Sequence, residues 1–65
     1  MPLVNIKLTR ESTPLSVENK KALIEGYTDL LVNVLGKKRA RTVVIIEEVD
    51  TDDWGIGGQS VTELK

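Results

Sequence analysis

The sequence predicts an α/β protein built on one β-α-β unit. Three observations point there: an alternating stretch near the start, a long segment of helical apolar spacing, and a later run of β-branched residues. A strand, a crossover helix and a second strand in this order imply parallel strands joined by a right-handed crossover. A short C-terminal hairpin or turn completes the chain. At 65 residues the chain forms one domain, residues 1–65.

The first strand lies in "PLVNIKLT". Val4, Ile6 and Leu8 share one face and Asn5, Lys7 and Thr9 the other, the period of a half-buried strand. Pro2 is tolerable at a strand's first position, which can do without a ladder N–H. It also has a chemical reading. Removal of Met1 leaves a secondary amine at the terminus, and such an amine can act as a base. "RESTPLS" follows as a loop, with Pro14 and hydroxyl residues as turn formers.

Ser16 is the expected N-cap of a helix, and Glu18 in its first turn suits the positive end of the helix dipole. Leu23, Tyr27, Leu30, Leu31 and Val34 then form one apolar stripe, which makes Tyr27 a core residue rather than a site residue. Gly36 is the expected stop, while Gly26 inside the helix costs about 1 kcal/mol relative to alanine. In "RTVVIIEEV" the β-branched run Val43 to Ile46 suggests a strand buried on both faces. One helix covers only one face of two strands, so the other face and the edges call for another copy of the chain. "DTDDWGIGGQSVTELK" reads as an acidic loop, a hairpin or turn around Gly55 to Gly58, and an arm able to dock on a neighbour.

Composition reinforces self-association. A domain of about 60 residues buries only about 60% of its unfolded surface. The chain has neither cysteine nor histidine, so no disulfide and no ordinary zinc site can staple it. There is no secretory leader and no apolar run long enough to span a membrane. The net charge of −1 gives no general attraction to nucleic acid. The expectation is a cytoplasmic homo-oligomer with no nucleic-acid or membrane partner.

Several motifs carry chemistry. Asp50, Asp52 and Asp53 suggest calcium, but an EF-hand loop from Asp50 would put Trp54 and Val61 at ligand positions, so a solvated acidic loop fits better. "GIGG" lacks the strand-to-helix setting and the third small residue of a dinucleotide fingerprint, and no Gly-Lys-Ser/Thr follows it. Lys37, Lys38, Arg39 and Arg41 are the one basic cluster. They suit a helix C-terminus, and an arginine among them can instead receive a small carboxylate. Trp54, in a polar glycine-rich loop, is an interface anchor or a pocket wall.

Taken together, "MP" opening a strand, one long helix, a second strand and an aromatic before "GIGG" resemble the 4-oxalocrotonate tautomerase family over nearly the whole chain. The resemblance implies a β-α-β fold assembled as a hexamer built from dimers, a cofactor-independent isomerase, and an N-terminal proline as general base. Pro2 matches that proline, and Trp54 stands where the family has an aromatic. The family's two substrate-binding arginines fall at Ser12 and Val43 here; Arg10 and Arg41 lie two places earlier in each case. A shift of two keeps the strand face but moves the reach by roughly 6–7 Å. The implied activity is proton transfer within small 2-oxo or 2-hydroxy unsaturated carboxylic acids, with Arg10 and Arg41 as carboxylate contacts and Trp54 as pocket wall. The alternatives are hydration or dehalogenation on the same scaffold, and a non-catalytic assembly module. Pro2 and Arg10 lie roughly 26 Å apart on one extended strand, so a shared ligand requires residue 2 of one copy to meet residue 10 of another.

Overall fold

The computed structural model describes residues 1–64. Strand β1 (Leu3–Thr9) is followed by helix α1 (Val17–Leu35) and strand β2 (Val43–Val49). A small hairpin of β3 (Gly55–Ile56) and β4 (Gln59–Ser60) leads into a short helix α2 (Val61–Leu64). Single 3-10 turns, Arg39–Arg41 and Thr51–Asp53, flank β2. β1 and β2 pair in parallel, in register from Leu3↔Val43 to Thr9↔Val49.

The ends of α1 follow from its sequence. Ser16, in extended conformation, accepts a hydrogen bond from the Asn19 N–H at 3.1 Å and so satisfies one of the free donors of the first turn. Gly36 is left-handed (φ 66°), and its N–H returns to the Val32 carbonyl at 3.0 Å. The basic run past the helix does not cap it, because the last turn of α1 holds no basic residue. Arg39 instead pairs with Asp29 on the helix surface.

Burial departs from the expected pattern. Among the described residues Val61 is the one buried apolar side chain, at 8% exposure, and no side chain is fully enclosed. Toward the sheet α1 presents Leu23, Thr28 and Leu31, buried or half-buried, while Tyr27, Leu30 and Val34 of the expected stripe stay open to solvent. Tyr27 lies in a surface groove with Leu23, Gly26 and Leu30, not in a core. β2 is likewise not buried on both faces, since Ile45 is exposed. The physical reason is that one helix meets one face of a two-stranded sheet.

The molecular shape agrees. The radius of gyration is 15.0 Å and the extents are 43 × 25 × 15 Å, whereas a compact globule of this length has a radius of about 11 Å. The accessible surface is 5033 Å², against about 4,100 Å² for a compact monomer of this mass. Leu3 (62% exposed), Ile56 (63%) and Val34 (68%) belong to that excess. The chain alone leaves its apolar residues uncovered.

Glu48 ties the loop and the helix to β2. Its carboxylate accepts the Leu15 N–H at 3.2 Å and pairs with Lys20 at 3.2 Å, with the side chain only 7% exposed. The Leu15 hydrogen bond holds its carboxyl below the ordinary range; burial opposes this, and Lys20 and the charge of Arg10 assist. A carboxyl that titrates lower when folded contributes its full stability above its unfolded value and loses it as pH falls through the folded one. Thermal melts of Glu48→Gln from about pH 7 to about pH 3 should therefore show a flatter acid-side decline than the parent protein. An unchanged slope would contradict this role.

The hairpin depends on glycine at two points. Gly57 and Gly58 have φ 62° and 87° across a two-residue turn, a conformation that L side chains resist. At Gly55 a Cβ would stand 2.2 Å from the Gln59 carbonyl oxygen, so the strands could not keep their spacing. Gly55→Ala should cost roughly 1–3 kcal/mol, read as a fall in the melting temperature. A melting curve matching the parent's would sink that reading.

Candidate active site

Residue alternation along β1 and β2 divides the sheet into two faces. The even-numbered residues Val4, Ile6, Val44, Ile46 and Glu48 lie toward α1, where Glu48 meets Lys20. Odd-numbered residues, among them Lys7, Thr9, Ile45 and Val49, share the face away from α1.

One end of the sheet carries Pro2 and Arg41. The Pro2 carbonyl accepts the Val43 N–H at 3.0 Å, which fixes the start of the chain to the start of β2. Pro2 is half-buried, and Met1 before it is 90% exposed. Arg41 ends the 3-10 turn that leads into β2, its N–H donating to the Lys38 carbonyl at 3.1 Å. Arg41 stands two residues before Val43, the first paired residue of β2, and so lies at the same end of the sheet as Pro2.

The opposite end carries Arg10 and Trp54. The Arg10 N–H donates to the Val49 carbonyl at 2.8 Å and prolongs the pairing by one step. Its charge is the smallest of the influences that lower the Glu48 carboxyl's pKa. Trp54 is brought over the end of β1 by a chain of short-range bonds. The Asp50 carboxylate accepts the Asp52 N–H at 3.0 Å, and its carbonyl accepts the Asp53 N–H at 2.8 Å. Thr62, on α2, donates to the Asp52 carboxylate at 2.5 Å and accepts from the Thr51 hydroxyl at 2.6 Å. Val61 N–H then bonds the Trp54 carbonyl at 2.9 Å. The acidic cluster thus has structural tasks: two of its three carboxylates secure the turn.

A cavity of about 440 Å³ opens beside Trp54, lined by Lys7, Leu8, Thr9, Val49, Asp53 and Trp54. That volume suits a small organic ligand, and the lining mixes apolar walls with a few polar groups. Of the four residues singled out from the sequence, only Trp54 lines it. Pro2 and Arg41 stand together at the far end, and Arg10 is near the cavity without lining it. Lys7 and Asp53 were missed. The signal available for Lys7 is strand alternation, which puts it on the same face as Thr9.

Residues 2–64 match the family model of the tautomerases, described as tautomerase enzyme. The chain is 60% identical over its full length to a probable tautomerase, K2, of Dickeya dadantii, covering 94% of that protein. It is 38% identical to a 2-hydroxymuconate tautomerase of Pseudomonas putida, over 98% of this chain and 97% of the relative. The crystal structure of DmpI from Helicobacter pylori superposes with a TM-score of 0.83 at 51% identity, covering 97% of this chain and 94% of that one.

Proposed function

The chain belongs to the tautomerase family, whose members are isomerases, and on that premise we propose that it moves a proton within small 2-oxo or 2-hydroxy unsaturated carboxylic acids. Pro2 is the base, Trp54 the wall of the pocket, and Arg10 and Arg41 the carboxylate contacts. The supporting observation is the match over residues 2–64, which begins at Pro2 itself. The likeness to a 2-hydroxymuconate tautomerase supports the substrate class.

With Met1 attached, the prolyl nitrogen is an amide and has no basic lone pair. Its removal frees a secondary amine on a rigid ring. Apolar neighbours disfavour the charged form of that amine, and nearby cations such as Arg41 do the same, so its pKa falls toward the pH at which a base works. The neutral amine takes the proton from carbon, an enolate forms, and the same nitrogen returns the proton elsewhere on the ligand. Arginine held at the carboxylate offsets the charge that grows on the enolate oxygen.

The site is completed by association. β1 has one edge paired with β2 and one edge free among the described residues. Two copies joined antiparallel along that free edge bring Pro2 of one toward Arg10 and Trp54 of the other. The exposed Leu3, Ile45 and Ile56 supply apolar surface for such contacts, and a hexamer built from dimers covers more of it than a dimer does. No helix among the described residues is long and apolar enough to cross a membrane. A cytoplasmic setting accords with the absence of cysteine.

The decisive experiment pairs intact-mass spectrometry with turnover of phenylenolpyruvate and 2-hydroxymuconate. The active protein should lack Met1, and Pro2→Ala, which leaves a primary amine, should lower kcat by about 10²–10⁴-fold without a change in melting temperature. Full activity in protein that retains Met1, or in Pro2→Ala, would refute Pro2 as the base.

A further inference from the structure

The Trp54 cavity holds two charged side chains that the proposed chemistry leaves unused, Lys7 and Asp53. Resting on the tautomerase reading above, we infer that Lys7 is a further cation that joins Arg10 and Arg41 in receiving the substrate carboxylate, acting from within this cavity, and that Asp53 sets the ligand's direction by repelling that carboxylate from the other side.

The placement follows from strand alternation. Lys7 and Thr9 share the face away from α1, where Val49 and Trp54 complete the lining. Lys7 faces the cavity, whereas Arg10, one residue past the end of β1, does not line it.

Lys7 is also uncommitted. The ion pairs join Lys20 to Glu48 and Arg39 to Asp29, and among the described residues the Lys7 ammonium and the Asp53 carboxylate make no hydrogen bond or ion pair, with each other or with anything else. Leu8, Val49 and the indole give the cavity apolar walls. A carboxylate entering such a space sheds water and needs a cation in return. The lysine stem is flexible and carries three donors, so it can follow a small acid to its bound position. Asp53, on the same cavity, disfavours any pose that turns the carboxylate toward the Thr51–Asp53 turn. The ligand's anionic end therefore lies against β1 and its uncharged end toward the turn.

The test compares Lys7→Gln, Lys7→Arg and Asp53→Asn with the parent protein, using phenylenolpyruvate for turnover and Trp54 fluorescence quenching by the unreactive phenylpropionate for binding. Lys7→Gln should raise KM about tenfold and weaken quenching about as much, with kcat within about twofold; Lys7→Arg should recover most of the loss. Asp53→Asn should shift both in the opposite direction, by about two- to threefold. The salt dependence of KM should also flatten in Lys7→Gln, a change that a merely structural role would not produce. Parent-like KM and quenching in Lys7→Gln, while Pro2→Ala is inactive, would overturn the assignment of Lys7 and leave the tautomerase reading standing. A parent protein that neither turns over phenylenolpyruvate nor is quenched would overturn both.

Discussion

Seven residues of β1 lie parallel to seven of β2, and this two-stranded sheet has one helix to cover its two faces. The register does two things at once. It sets Pro2 and Arg41 at one end and Arg10, Trp54 and the cavity at the other, a strand's length away. It also leaves the face away from α1 open, which is why the chain is extended and almost without a buried core. Incomplete packing and an incomplete site have the same cause. In the proposed assembly a second copy would relieve both, since the uncovered surface adjoins the residues proposed for the site.

The two sheet faces differ in what they carry. Toward α1, Glu48 gathers Lys20, the Leu15 amide and the charge of Arg10 around one carboxylate. Such a group is stable while its partners remain, and it fastens the loop before α1 to the sheet. Away from α1, Lys7 and Thr9 meet a wall that the C-terminal segment supplies. That segment is held by contacts within itself: Asp50 and Asp52 order the turn, Thr51 and Thr62 join it to α2, and the glycines let the hairpin close. Trp54 is placed by this clasp.

Much of the fold was legible because local rules and tertiary structure agree. Alternation located β1, Ser16 and Gly36 located the ends of α1, and β-branching located β2. Burial was less legible. The apolar spacing at Tyr27, Leu30 and Val34 marks surface that some neighbour must cover, and a sequence does not say whether that neighbour lies in the same chain. The helical end of the chain, α2, has only four residues and no periodicity to reveal it. At the site, Pro2 and Trp54 stood out by type and position. Lys7 did not, since a lysine on a polar strand face usually points into water, and only the return of the chain through Trp54 makes a cavity there.

The central claim, that each site joins the start of one chain to the Trp54 cavity of another, is tested most directly by subunit mixing. Pro2→Ala and Trp54→Ala chains, each of low activity alone, would be dissociated, combined in equal amounts and reassembled. Random pairing makes half the dimers mixed, and each mixed dimer has one site with both native residues, so activity should return to about a quarter of the parent's. No recovery above the separate variants, in assemblies shown by native mass spectrometry to contain both chains, would mean that each site is built within one chain.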